Sequence, residues 1–364
     1  VDYPLISPTN GNVLREDGAH FLTDGERRWP VVDGIPFLRP DDDLRLAVVA
    51  DLENGNERDA LCRLLADQDR FSPTLPPERA AIERVIDKKG LNLREAMALL
   101  SYGPVGDYFA YRWCSPTFTG GLHMLERTPA HQAVVEVACG IGHFLRALEQ
   151  AGREVVGVDI VYSKLWLARR ILGVKGPLIC GDVEAGPVIG TSRPTTVFCH
   201  DAFYFFEFKE AALTHLRQIA AGGSVAVGHV HTRTSAHEAG FALERAAYGK
   251  LTDAFVRDDA DFMLGWYGKR AVVGDPASVA VGWIEGETEH RAIEWIKNND
   301  SLRKNPLLQE RKISWPSAGW RQEYEEDSQC LNGESLPELI NAEWPADVLT
   351  RYQKRLLINL PGSW

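Results

Sequence analysis

Acidic residues and histidines recur in this chain at one kind of place, directly after short apolar runs. Asp159 follows Glu154-Val155-Val156-Gly157-Val158, and Asp182 follows Pro177-Leu178-Ile179-Cys180-Gly181. His200 and Asp201 follow Thr195-Thr196-Val197-Phe198-Cys199, while His229 and His231 follow Ser224-Val225-Ala226-Val227-Gly228. A carboxylate so placed can accept two hydrogen bonds from ribose hydroxyls, or one from an adenine amino group. A histidine can take up a proton near neutral pH. Nucleoside binding with proton transfer close by is the chemistry these residue types offer.

The apolar runs read as strands, and one of them carries the strongest signal. Val134-Val135-Glu136-Val137-Ala138-Cys139-Gly140-Ile141-Gly142-His143-Phe144-Leu145 reads as a buried strand passing through a glycine turn into a helix, with Phe144, Leu145 and Leu148 at helical spacing. Glycines there let the backbone approach a ligand. A nicotinamide fingerprint wants a third glycine at the helix start, but Leu145 stands there counting from Gly140, and His143 counting from Ala138. Polar residues at the carboxyl ends of successive strands mark the ligand edge of an open, doubly wound α/β sheet.

This series resembles the class I S-adenosylmethionine-dependent methyltransferases, whose first motif is an acidic residue followed by a G-x-G-x-G turn. It stands here as Glu136-Val137-Ala138-Cys139-Gly140-Ile141-Gly142, with Ala138 in place of the first glycine; Asp159 and Gly181-Asp182 fall where that family has its next two motifs. The resemblance covers roughly residues 105 to 285. It implies a Rossmann-like sheet of seven strands closed by an antiparallel hairpin, read in Arg270 to Trp283 around Asp275-Pro276. It also implies S-adenosylmethionine as cofactor and S-adenosylhomocysteine as product. The cofactor-binding set would be Glu136, Ala138, Cys139, Gly140, Gly142, Asp159, Ile160, Asp182, Val183, Asp201 and, through its backbone, His200. The resemblance further implies that an Arg or Tyr from the segment ahead of this domain reaches the methionine carboxylate; Tyr108 and Arg112 stand there at i and i+4, on one face of a helix. The sulfonium already carries an activated methyl group, which leaves the protein mainly alignment. An oxygen or ammonium acceptor needs a base, and His229, His231, His200 and Tyr204 are the candidates; His229 and His231 are in period-2 register and point to one side.

Four regions follow: residues 1–45 as a small β domain, 46–104 as a helical arm, 105–285 as the cofactor domain, and 286–364 as an extension. In the first, Asn10-Gly11 and Asp33-Gly34 signal hairpins. Trp29-Pro30-Val31-Val32-Asp33-Gly34-Ile35-Pro36-Phe37-Leu38 is similar to the end of the zinc-ribbon-like domain found beside some methyltransferases and in the activator subunit of tRNA and release-factor methyltransferases. Ile6-Ser7-Pro8-Thr9 occupies the place of its C-P-x-C. Without metal, such a domain is expected to hold by packing alone. Residues 41 to about 70 and 78 to 100 read as helices, as do Ser235 to Lys250 and Glu289 to Ile296. The extension carries Trp295, Trp315, Trp320, Trp344 and Trp364, which cover the core, line a substrate pocket or form a subunit interface, and a homodimer is one expected assembly.

With 364 residues, 45% hydrophobic and 25% charged, the chain can bury a large core. Six cysteines at 62, 114, 139, 180, 199 and 330 lack C-x-x-C spacing, so no metal is expected. No apolar run could span a bilayer, and the expectation is a cytoplasmic protein without a membrane partner. A net charge of −11 repels polyphosphate, and Arg153, Lys164, Arg169, Arg170 and Lys175 read as a solvated helix face. A small-molecule metabolite is therefore favoured over nucleic acid as acceptor. Other readings stay open: protein or tRNA as acceptor, a noncatalytic methyltransferase-like scaffold, and an NAD-linked oxidoreductase.

Overall fold

The computed structural model describes residues 3–40, 42–112, 116–235, 239–266, 280–293 and 295, with a short strand pair at Leu308–Gln309 and Lys312–Ile313. Four short strands come first: β1 (Arg15–Glu16), β2 (Phe21–Thr23), β3 (Arg28–Val32) and β4 (Ile35–Pro36), in one antiparallel sheet. Val32 pairs with Ile35 across Asp33 and Gly34, both at positive φ, the two-residue turn that suits the twist of a hairpin. Packing is not all that holds this sheet. The buried Asp24 carboxylate accepts hydrogen bonds from Ser7 Oγ (2.6 Å), Trp29 Nε1 (3.1 Å) and the backbone N–H groups of Glu26 and Arg27. Burial alone would raise its pKa, but these donors hold it down at about 2. Ser7, in the segment where a ribbon would carry cysteines, thus helps build a carboxylate-centred knot.

The helical arm holds α1 (Asp42–Glu53), α2 (Glu57–Ala66), α3 (Arg79–Asp87), α4 (Leu93–Leu99) and α5 (Pro104–Tyr111). Each of the two long helices read from periodicity is split in two, at Gly55 and Gly90, both at positive φ. A capping box between Asn92 and Glu95 starts α4.

After α6 (Pro116–Leu125) the chain enters the main sheet through β5 (Val134–Val137), α7 (His143–Gln150), β6 (Val155–Asp159), α8 (Tyr162–Arg170), β7 (Leu178–Cys180), β8 (Thr196–His200), α9 (Lys209–Ala220) and β9 (Val225–His231). Then come α10 (Arg245–Tyr248), β10 (Arg257–Asp258), α11 (Asp259–Trp266) and β11 (Ala280–Glu285). The strand order is β10-β11-β9-β8-β5-β6-β7, parallel from β9 to β7, with β11 and β10 antiparallel. Alternation explains the two layers. Val134, Phe198 and Ala226 face one apolar cluster with Phe118, Phe144 and Leu148, while Val135, Val156, Val197 and Val225 face another with Leu213, Leu216 and Trp283. A sheet buried on both faces is what near-continuous apolar strands produce. Strand order reverses between β5, the first strand of this sheet, and β8 beside it, and there the crossovers leave opposite faces and open a crevice.

Several expectations are corrected. Of the described residues between 235 and 250, only α10 is helical, and a bridge joins Thr232 to Leu243 ahead of it. Residues 289–293 are not helical; Arg291 N bonds back to the Glu126 carbonyl. The strand antiparallel to β11 at its outer edge is β10, while residues 270–279 of the expected hairpin lie outside the described residues, as do Trp315, Trp320, Trp344 and Trp364. The basic residues form a solvated face only in part, since Arg170 and Lys175 are exposed while Arg153, Lys164 and Arg169 are partly covered. Arg153 and Arg169 donate to backbone carbonyls, Arg170 pairs with Asp33, and Lys164 pairs with Asp69. No described helix is long and apolar enough to cross a membrane.

Candidate active site

The glycine turn is left-handed three times over, with φ of +56° at Ala138, +56° at Gly140 and +82° at Gly142. Such a path aims backbone N–H groups at the crevice and at the start of α7. Glu136 lies on β5 just before this turn. Its buried carboxyl accepts from Leu145 N at 3.1 Å and so fastens the turn to the helix, and burial pushes its pKa well above the usual carboxylate range. Cys139 is buried too, and burial pushes its thiol up.

Asp159 closes β6 one strand away. Gly140 N donates to its Oδ2 at 2.8 Å and Val161 N to its Oδ1 at 2.9 Å. Each carboxylate oxygen keeps a second lone pair for a ligand hydroxyl. Ile160, 39% exposed, offers an apolar surface beside it. Asp182 Oδ1 accepts from Glu184 N at 2.9 Å, and Val183 next to it is buried. The helical arm covers this end. Phe109 lies over the turn so closely that a Cβ on Gly140 would sit 3.3 Å from its ring, and its carbonyl accepts from His143 Nε2 at 2.8 Å.

On the far side of the switch point, Asp201 (φ +57°) and His229 (φ +45°) are both left-handed without being glycine. Strain of ~1–2 kcal/mol at each is the kind that persists where surrounding contacts impose it. Asp201 gathers them. Arg112 donates to its Oδ2 at 2.6 Å, Tyr108 to the same oxygen, and Tyr204 to Oδ1 at 3.2 Å. Burial works to raise its pKa, but Arg112 and the neighbouring histidines win and hold it below the usual range. Tyr108 and Arg112 do share a face, and what they meet is this carboxylate. His229 Nδ1 lies 2.8 Å from Asp259 Oδ2 and its Nε2 3.8 Å from Asp201 Oδ1. His231 Nδ1 lies 2.9 Å from Ser235 Oγ, with its ring 5.0 Å from that of His229 and 4.5 Å from that of Tyr204.

His200, another candidate base, is buried at the end of β8. Burial and the Arg112 guanidinium lower its pKa to about 3, which weakens its affinity for a proton. With Arg112 donating to its Nδ1 at 3.3 Å, it props the arm. Sequence reasoning puts Asp259 in an insertion expected over the carboxyl edge of the sheet but gives it no catalytic role. Only the packing of α11 against α6 and β9 places it at His229, and the acidic run Asp258-Asp259-Asp261 was its one trace. Asp201, His229 and His231 each place one possible ligand atom within 4.8 Å of the others, so this corner could also hold a cation. A groove of about 1070 Å³, lined by Phe208, Lys209, Arg233, Ser235, Phe241 and Leu243 among others, reaches the corner through Ser235.

Residues 134–223 match a family model described as a methyltransferase domain. The matched span carries the glycine turn, Asp159, Asp182 and Asp201 and ends just past α9. No curated protein matches the chain. Among solved structures, it is similar to an S-adenosylmethionine-dependent methyltransferase from Thermotoga maritima, with 16% identity over 50% of this chain and 92% of that one, at a TM-score of 0.35. A TehB-like S-adenosylmethionine-dependent methyltransferase from Corynebacterium glutamicum shares 17% over 51% and 99%, at 0.36. Magnesium protoporphyrin IX methyltransferase from Synechocystis, with bound S-adenosylmethionine, shares 17% over 56% and 88%, at 0.30. The strand order, not these overall scores, defines the fold: a doubly wound, mostly parallel seven-stranded sheet with a separate antiparallel sheet in front.

Proposed function

We propose that this protein is a class I S-adenosylmethionine-dependent methyltransferase acting on an oxygen or nitrogen atom of a small-molecule metabolite. The observation that carries the reading is the crevice at the switch point, where a left-handed turn is hydrogen-bonded to Asp159 inside the span similar to methyltransferase domains. S-adenosylmethionine would supply an activated methyl group there. The residues fit it: Asp159 is oriented for the ribose by two backbone donors, Ile160 offers an apolar face for a base, and Asp182 stands one strand further on. Arg112 has five N–H donors, enough to keep Asp201 and still hold a ligand carboxylate.

His229 is the base in this reading. Asp259 accepts from its Nδ1, which leaves Nε2 as the proton acceptor, and the carboxylate stabilises the imidazolium once the acceptor's proton has moved. Asp259 stays ionised for that task, because His229 outweighs the effect of burial. Tyr204 and His231 wall the acceptor's position. The net charge of −11 favours a small acceptor over RNA. The N-terminal sheet is a cysteine-free relative of the zinc ribbon and serves as scaffold.

The test is calorimetric titration of the full chain with S-adenosylmethionine, S-adenosylhomocysteine and NADH. Binding of the first two alone supports the reading. Binding of NADH alone, or of none of the three, overturns it.

A further inference from the structure

Apart from the crevice, the described residues hold one more cluster of metal-ligating side chains, His123, Glu126 and His290. It lies at the opposite edge of the sheet. β11 runs antiparallel to β9, with Glu285 beside Val225 at the start of that strand, and the chain beyond β11 returns to the last turn of α6. His123 and Glu126 are one helical turn apart there, so both side chains leave the same face.

The geometry is that of a ligand set around one point. His123 Nδ1 is 3.2 Å from Glu126 Oε2, and His290 Nε2 is 2.9 Å from the same oxygen. A tetrahedral ion with bonds of about 2.0–2.1 Å keeps its ligand atoms roughly 3.3 Å apart, close to this spacing. The carboxylate is also oriented from behind. Its other oxygen accepts from Ile293 N at 3.1 Å and Trp295 Nε1 at 3.0 Å, as outer partners of a metal-bound carboxylate do. α11 makes room for the imidazole with a glycine, since a Cβ on Gly265 would come within 2.2 Å of His123 Nε2. The side chains of His123 and Glu126 are each 7% exposed, while that of His290 is 43% exposed, which leaves one side open for an ion to enter and for a water to complete its coordination.

We propose that His123, Glu126 and His290 bind one divalent transition-metal ion, zinc by their ligand chemistry, and that the ion pins residues 287–295 to the end of α6. Two imidazoles and one carboxylate are an ordinary zinc set, and the joined elements are distant in sequence. The ion is structural and stands apart from the methyl-transfer reading.

The experiment uses the full chain, stripped with a chelator, dialysed, and titrated with zinc chloride by calorimetry. One zinc per chain is expected, with a rise in Tm and slower hydrogen exchange at the Arg291 and Ile293 amides. His290→Ala removes a partly exposed ligand, so it should fold with nearly the Tm of the stripped wild type and lose at least tenfold in zinc affinity. His231→Ala, in the crevice, should bind zinc as the wild type does. Absence of stoichiometric uptake would overturn the proposal, and so would equal uptake by His290→Ala. Zinc binding without slower exchange at Arg291 and Ile293 would overturn the pinning.

Discussion

Ala138 stands where the G-x-G-x-G turn has its first glycine, and the structure gives it φ +56°, the same value as Gly140. An L-residue held there carries ~1–2 kcal/mol of strain. Replacing it by glycine removes the strain but adds freedom to the unfolded chain, an offset of ~0.4–1 kcal/mol. Ala138→Gly should therefore stabilise the protein by roughly 0.5–1 kcal/mol, the difference of those two effects. Gly140→Ala is the mirror test. It acquires the same strain, and its Cβ meets Phe109 Cε1 at 3.3 Å, so the ring that covers the turn must shift. A net loss of ~1 kcal/mol or more is expected there. Urea unfolding at unchanged m reads both effects as midpoint shifts. Titration with S-adenosylhomocysteine should show affinity kept in Ala138→Gly and weakened in Gly140→Ala. If Ala138→Gly is destabilising while Gly140→Ala is neutral, the left-handed turn is not what the energetics of this loop obey, and the reasoning fails.

Asp159→Ala should cost ~1.5–3 kcal/mol of cofactor affinity, the range for hydrogen bonds to a charged group; an unchanged Kd would leave Asp159 only the bracing of Gly140 and Val161. Asp259→Asn should lower turnover by ~10²-fold or more while sparing cofactor affinity, because it disables the partner of the base. Full turnover in that variant would remove the dyad from the mechanism. Acid should destabilise the protein early. His143 and His200 are held at about 3, against a usual 6.5, by burial and Arg112, so between those values the folded state binds fewer protons than the unfolded one. Their contribution is complete above pH 6.5 and is lost as the pH falls toward 3, at ~1.4 kcal/mol per pH unit for each histidine. Urea midpoints that stay level from pH 7 to 5 would refute this.

What the sequence made legible was set by short-range physics. A valine-rich strand, a glycine turn and an acid at the next strand's end each follow from local backbone rules, so the parallel core and the placement of Asp159 and Asp201 could be read before any coordinates. Helix breaks at Gly55 and Gly90 were less visible, because apolar periodicity runs straight through a single glycine. Contacts made by packing left almost no trace. Asp259 meets His229 across thirty residues, and Glu126 meets His290 across 164. Nothing in either neighbourhood announces the other. Asp24 is a similar case, since its four donors come from three separate parts of the small sheet.

The attachment of that small sheet has a meaning beyond scaffolding. β7 is the last strand of the main sheet, and an open strand edge is a template on which other chains can add. Here the edge is already taken, for Phe37 bridges Cys180 in parallel and Leu38 N donates to the Cys180 carbonyl at 2.6 Å. Tyr162 ties the same unit down through the Val32 carbonyl at 2.7 Å. The first forty residues thus work as a built-in guard against aggregation. Trimming them would remove none of the crevice residues, though it would take away the Arg39 donor to the Ile160 carbonyl, and it would leave a sticky edge that turns a loss of scaffold into a loss of solubility.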